Sequence, residues 1–550
     1  MLISALLATP FAGVAASEPP RAALSDRGAV YDFVRARAAD DLGALDVAAN
    51  GYAAALADNP GDTMLGLRTF RQAIVAGDMP LAVRTAKALD ATGSLPPDGA
   101  IVLLADAVTA KDWKRASAVA DRMDREKLFS FLTPTVRAWI AFGAKSGDPL
   151  AALPAANAGR LALTYAREHR PLLLIASGKA ADGVAALAAL DMADIARAAR
   201  LRIAVAAGLA AHHERKQGLA LLTGGDAPTM RAHAILSAGK KLKGAVDTPA
   251  AGIAELFVRV AADINREQAG PLAVEFARIG AALAPADSEA WLVTASLLAS
   301  AGDDRPALAA LANVTPDDPF IGVTRDMRLT LLARTGHADQ ALAEAKTAAV
   351  ARDATPGDLA RLGDLLSDAD QHADAAAAYA RALALAGGET APGEVAWPLL
   401  LQQASALLES GDWPGARAKA ARALALAPEE PAVLNFLGYS QLEHGEDIPA
   451  AAAMIARASA LAPQDASITD SLGWSWYLRG DVAKAIPLLE RAAQGAPVES
   501  DINEHLGDAY WRAGRRLEAR YSWRAALLAA EGDAAARIKA KLDYGAPDKP

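Results

Sequence analysis

The sequence predicts an all-α protein built as a stack of helical hairpins, and three observations lead there. First, a pattern of small residues, glycines and prolines returns at a nearly fixed step between Leu434 and Leu528. Gly438 to Gly473 is 35 residues and Gly473 to Gly507 is 34. A period of this length marks an array in which each unit buries its apolar face against the next. Second, each copy holds two stretches of helical periodicity separated by a glycine. Third, the chain is 53% hydrophobic but only 5% aromatic, and rich in alanine. That composition suits closely packed helices of high intrinsic propensity, and few stretches are rich enough in β-branched residues to suggest strands.

The second copy shows how the spacing builds a hairpin. It reads Ser471-Leu-Gly-Trp-Ser-Trp-Tyr-Leu-Arg-Gly480, followed by Ala485, Leu489, Ala492 and Pro497. The first helix is expected over roughly Ala466–Leu478, with Ile468, Leu472, Trp476 and Leu478 apolar. Gly480 suits the left-handed residue that ends a helix. A second helix over roughly Val482–Gln494 carries Ala485, Ile486, Leu489 and Ala492 on one face. Pro497 cannot continue it. Gly473, Ala485 and Ala492 are small where two helices must approach closely, and Leu489 fills the space beside them.

These residues resemble tetratricopeptide repeats. The small residues at the family's eighth, twentieth and twenty-seventh positions match Gly438, Ala451 and Ala458, then Gly473, Ala485 and Ala492, then Gly507, Ala519 and Ala526. The closing proline matches Pro428, Pro463 and Pro497; the last copy has Glu531 instead, as suits a terminal repeat. The resemblance implies a right-handed superhelical solenoid of tandem helix-turn-helix pairs, about fourteen of them at about 34 residues each. The C-terminal half, with Val433-Leu-Asn-Phe-Leu-Gly-Tyr-Ser440, is also similar to a group of exported bacterial repeat proteins.

Taken in order, residues 1–16 form an apolar run too short to span a bilayer. They end in Val14-Ala15-Ala16, as a signal segment does, although the first basic residue is Arg21. Export to the periplasm of a bacterium is therefore expected, with a cytoplasmic protein as the alternative. No integral membrane segment would remain after signal removal, and peripheral association with the envelope stays open. Residues 17–28 read as a linker. Residues 29–250 read as an N-terminal array, with Ala48, Tyr52, Ala55 and Pro60 marking one pair and Gly77, Ala82 and Ala86 another. The marks weaken from about 98 to 250, and a soft boundary is expected at 244–252. Residues 254–396 form a central array, 397–533 a well-registered C-terminal array, and 534–550 a capping helix and tail. Arg537, Lys539 and Lys541 would give that helix a polar side.

Several activities find no support. The net charge of −9 argues against a nucleic-acid partner, which requires a basic surface. With no cysteine there is no disulfide, thiol nucleophile or thiolate metal site. Ala176-Ser-Gly-Lys-Ala180 resembles the end of a phosphate loop, but Leu173 replaces its earlier glycine and Ala180 its hydroxyl residue. Ser237-Ala-Gly-Lys240 lacks the companion motifs of a serine acyl-enzyme. His212 and His213 are adjacent and point to different faces of a helix, unlike a metal-binding pair at i, i+4. Neither an enzyme, a metal nor a cofactor is expected.

The expected role is a non-catalytic scaffold for a protein partner. By analogy with the family, the groove side chains are Asn435, Tyr439 and Leu442, then Asp470, Trp474 and Tyr477, then Glu504, Asp508 and Trp511. Their aromatics suit interface anchors; the alternative is packing against the next repeat or the C-terminal helix. The family's carboxylate clamp uses lysine and asparagine at these positions, and only Asn435 fits. Arg512, Arg515, Arg516, Arg520 and Arg524 read as a solvated helix face, with an acidic partner or anionic headgroups as the other option. A second functional reading is an envelope assembly factor that organises an outer-membrane or secretion complex through its edges.

Overall fold

The computed structural model describes residues 21–155, 157–266, 270–352 and 354–546. The expected signal segment, 1–16, lies outside them, as does part of the expected linker. Among the described residues there are 29 α-helices and no strand. None of these helices is long and apolar enough to cross a membrane. The helices gather into two compact units, Met1–His337 and Ala338–Pro550.

The second unit is a regular stack. Its consecutive hairpins are Pro356–Asp368 with His372–Leu385, Gly393–Glu409 with Trp413–Leu426, and Pro431–Glu443 with Ile448–Leu461. Ala466–Leu478 with Val482–Gly495 and Ser500–Arg512 with Arg516–Leu527 follow, and a single helix, Gly532–Tyr544, ends the stack. The local chemistry matches the spacing. Asp465 caps one helix by accepting from the Ile468 amide at 2.9 Å, and Gly480 adopts φ +84° to end it. The small register residues are where the helices touch. Ala451, Ala458, Ala485, Ala492, Ala519 and Ala526 are completely buried. A Cβ on Gly507 would stand 2.4 Å from the Trp523 ring, so only glycine lets that indole lie across the first helix.

The first unit begins in the same way, with Arg21–Asp41 and Leu45–Asp58, then Thr63–Ala76 and Met79–Ala91. It then departs from an open stack, in which each repeat touches only its neighbours. One hydrophobic cluster runs from Ala49 to Leu331. Helix Gly270–Leu283 returns to helix Thr63–Ala76: Arg71 pairs with Glu275 at 2.9 Å, and Arg278 Nε donates to the Val75 carbonyl at 3.1 Å. The region of weak repeat marks supplies part of the interior, since every residue from Leu201 to Leu209 except Arg202 is buried; just beyond that region, so is every residue from Gly252 to Ala261. Where a helix is covered on all sides, as over Leu201–Leu209, little polar face remains to mark its period.

That interior holds charge. Arg200 pairs with both Glu255 and Glu289, and Arg259 pairs with Glu289. Beside them Arg197 bridges Glu168 at 2.8 Å and Asp263 at 3.0 Å, and the Tyr165 hydroxyl donates to Asp263 at 2.8 Å. Burial alone would raise the Glu255 pKa, but the two guanidiniums reverse this and hold it at about 2.

Candidate functional site

In the second unit, contacts between successive first helices recur at the repeat period. Trp474 Nε1 donates to Glu443 Oε1 at 2.7 Å, one repeat back. His505 Nδ1 donates to Asp470 Oδ2 at 2.8 Å, and its ring stacks on Trp474 with centroids 4.0 Å apart. The other face of Trp474 carries Tyr477, at 4.5 Å. One period on, the terminal helix takes the same place. Arg537 grips Glu504 with two hydrogen bonds of 2.8 Å, and Lys541 Nζ reaches Glu504 and Asp508 at 2.6 Å each. The other Asp508 oxygen accepts from Trp523 Nε1 at 3.0 Å. Helix Gly532–Tyr544 thus continues the stack as a half repeat. Its Ile538 is fully buried among Trp474, Tyr477, Trp523 and their neighbours.

Five of the eight expected partner-binding residues, Asp470, Trp474, Tyr477, Glu504 and Asp508, lie buried in these contacts. Trp474 is 7% exposed. Asn435, Tyr439 and Trp511 are half-buried. Tyr439 packs on the cluster around Trp474, and burial followed by the nearby Glu443 and Asp470 raises its pKa. Trp511 lies under the Arg516 guanidinium at 3.7 Å and so close to Gly545 that a Cβ there would meet the ring at 1.9 Å. The polar side expected for the terminal helix is divided. Lys539 faces solvent, whereas Arg537 and Lys541 reach the Glu504 carboxylate. Glu443, His505, Arg537 and Lys541 were not among the expected site residues. The signal that finds them is spacing, since Asp470 to His505 and Glu504 to Arg537 are separated by 35 and 33 residues.

The electrostatics follow from burial and pairing. Burial alone would raise the Glu504 pKa; the hydrogen bonds from Arg537 and Lys541 outweigh it and hold the carboxyl at about 2. Burial alone would lower the His505 pKa, but the Asp470 carboxylate reverses this and raises it above 6.5. A raised folded pKa means that the pair's contribution is complete below 6.5, the unfolded value, and disappears as pH rises through the folded one. The C-terminal unit should therefore lose stability from about pH 6.5 upward. Urea midpoints across that range should fall in the unaltered protein and stay nearly level in Asp470→Asn. Parallel profiles for the two proteins would contradict the pairing.

Beside the terminal helix is a cavity of about 560 Å³. Trp474, Tyr477, Leu442 and Leu478 form its wall on the array side, and Ala540 and Tyr544 face them from the terminal helix. Glu443, Asp508, Arg537 and Lys541 place both signs of charge around it. Ala540 and Tyr544 are exposed at its edge. No cluster of three or more histidine, aspartate or glutamate side chains able to hold a metal occurs among the described residues.

Helical hairpins at this period, with these small residues at their contacts, make the chain an all-α helical-repeat protein whose fold is like that of tetratricopeptide repeats. No family model matches the sequence, and no curated protein matches it. Among solved structures, it is similar to a tetratricopeptide repeat protein from Parabacteroides merdae. Identity there is 14%, over 46% of this chain and 97% of that one, with a TM-score of 0.39. One chain in the structure of the APC/C hetero-tetramer Cut9–Hcn1 is similar at 14% identity over 96% of this chain and 98% of that one, with a TM-score of 0.38. YrrB, described as having an unusual peptide-binding site, matches at 18% over 37% and 97%, with a TM-score of 0.25.

Proposed function

We propose that the protein is a non-catalytic scaffold that holds a segment of a protein partner on the first-helix side of its C-terminal unit. The observation that carries this reading is the cavity of about 560 Å³ between the array and the terminal helix. Binding sites of this kind span about 300–1,000 Å³ and combine apolar walls with a few polar groups. Leu442, Leu478 and the edges of Trp474 and Tyr477 supply the wall. Glu443 and Lys541 supply polar groups of opposite sign. The faces of Trp474 are already covered by Tyr477 and His505, so the ring contributes an edge and a fixed shape. The mechanism is passive: a pre-ordered concavity receives an apolar side chain, and the surrounding charges orient the segment that carries it.

Ala540 offers a test that leaves the packing intact, because it is exposed and lines the cavity. A photo-crosslinking residue at 540 should capture a partner that the same residue at Arg422, exposed on a second helix, does not. Ala540→Arg fills the cavity with a good helix former, and should weaken binding of that partner about tenfold or more, a change of about 1.4 kcal/mol. Equal capture from both positions, or unchanged binding by Ala540→Arg, would remove the cavity from the function.

A further inference from the structure

The last second helix of the array, Arg516–Leu527, presents an unusual outer face. Its inner face is ordinary: Ala519, Ser522, Trp523 and Ala526 are buried against the first helix of the pair. At about 100° per residue, two ridges lie side by side on the opposite face. Arg516, Arg520 and Arg524 form one, and all three are exposed. Leu517, Tyr521 and, just past the helix end, Leu528 form the other, with exposures of 64%, 60% and 90%. Neighbouring Arg515 is neutralised by Glu490 and Glu518. Among the described residues, no ion pair joins any of the three ridge arginines to a carboxylate. Arg516 and Arg524 instead lie over the rings of Trp511 and Tyr521. Three uncompensated cations stand out on a chain of net charge −9.

The geometry points to an anionic bilayer surface as the occupant of this face. Charge alone fits any polyanion, and the apolar ridge decides between them. Leucines and a tyrosine held beside a row of arginines match the layered chemistry of a membrane interface, where phosphates lie just above the acyl boundary. The guanidiniums meet headgroup phosphates while Leu517, Tyr521 and Leu528 enter the boundary layer. An acidic protein segment would pair with the arginines and leave the three apolar side chains in water. Three cations and three apolar side chains make a reversible, salt-sensitive attachment that brings the scaffold to a membrane without inserting it.

The test is flotation of the full chain with phosphatidylcholine vesicles, with and without phosphatidylglycerol. The unaltered protein should float only with the anionic vesicles and release as salt is raised. Each arginine near a charged surface contributes on the order of fivefold, so Arg520→Ser with Arg524→Ser should weaken partitioning by roughly 25-fold. Leu517→Ser with Tyr521→Ser, which leaves the charge unchanged, should also weaken it severalfold. All four positions are exposed, so circular dichroism should show full helical content in both variants. Absence of flotation of the unaltered chain would overturn the inference. So would binding to soluble polyglutamate without binding to vesicles, which would assign the face to an acidic protein, or vesicle binding that the leucine–tyrosine variant leaves intact.

Discussion

Replacing Glu255 by glutamine should strip the first unit of roughly 3–5 kcal/mol of stability, the range expected when a buried pair loses one partner. Glu255 is 3% exposed, and Arg200 and Arg259 are 6% and 7% exposed. An amide in its place cannot compensate two guanidiniums that have no water to turn to. Glu289 would be left to serve both. The thermal transition of the unit should fall by about 4–7 °C. Hydrogen exchange should rise first in helix Pro249–Arg266, which carries both Glu255 and Arg259. The comparison is Arg137→Gln, which removes part-exposed pairs with Asp121 and Asp124 on an arginine whose side chain is 39% exposed. A surface pair of that sort contributes about 1 kcal/mol or less. Equal effects of the two substitutions would mean that the cluster is not held together by its charges.

Glu504→Gln should loosen the terminal helix while leaving the hairpins before it folded. The substitution removes the acceptor of three charge-assisted bonds, two from Arg537 and one from Lys541. Hydrogen bonds to charged groups contribute about 1.5–3 kcal/mol each, and Lys541 keeps Asp508, so a net loss near 3 kcal/mol is expected. Amide protection across Gly532–Tyr544 should fall roughly 100-fold, which that loss implies through the exchange equilibrium. Because the Glu504 pKa is depressed to about 2, the clamp's contribution is complete above the unfolded value of 4.5 and fades as pH falls through 2. Acid should therefore free the same helix in the unaltered protein. Unchanged protection in Glu504→Gln would show that burial of Ile538 alone seats the helix.

The two units differ in how legible they were, and the cause is physical. In the C-terminal unit the information is local. Gly473, Ala485 and Ala492 must be small because two helices of one hairpin meet there, and those helices are neighbours in the chain. The expected helix Ala466–Leu478 has the observed bounds, and Val482–Gln494 falls one residue short. The fold back of the first unit depends instead on pairs such as Arg71 with Glu275, 204 residues apart, which leave no period. The candidate site was legible as a set of positions, since Asp470, Trp474, Glu504 and Asp508 do lie on the same side of successive first helices. What those side chains touch was not. Each reaches the following first helix, a relation between repeats that the pattern within one repeat does not carry. His505 and Arg537 reach equivalent carboxylates from places two residues apart in the repeat and differ in residue type, so a search for repeated letters passes over them.

The half repeat at the end of the array bears on assembly. Every hairpin in such a stack offers its successor a surface that any similar hairpin fits, including one from another molecule. A head-to-tail contact of this kind does not close on itself and grows into a filament. Helix Gly532–Tyr544 satisfies that surface with Arg537, Ile538 and Lys541 and presents Asp533 and Lys539 to water. Within the described residues, that surface of the last hairpin is therefore covered by the chain's own helix rather than left open to a second copy.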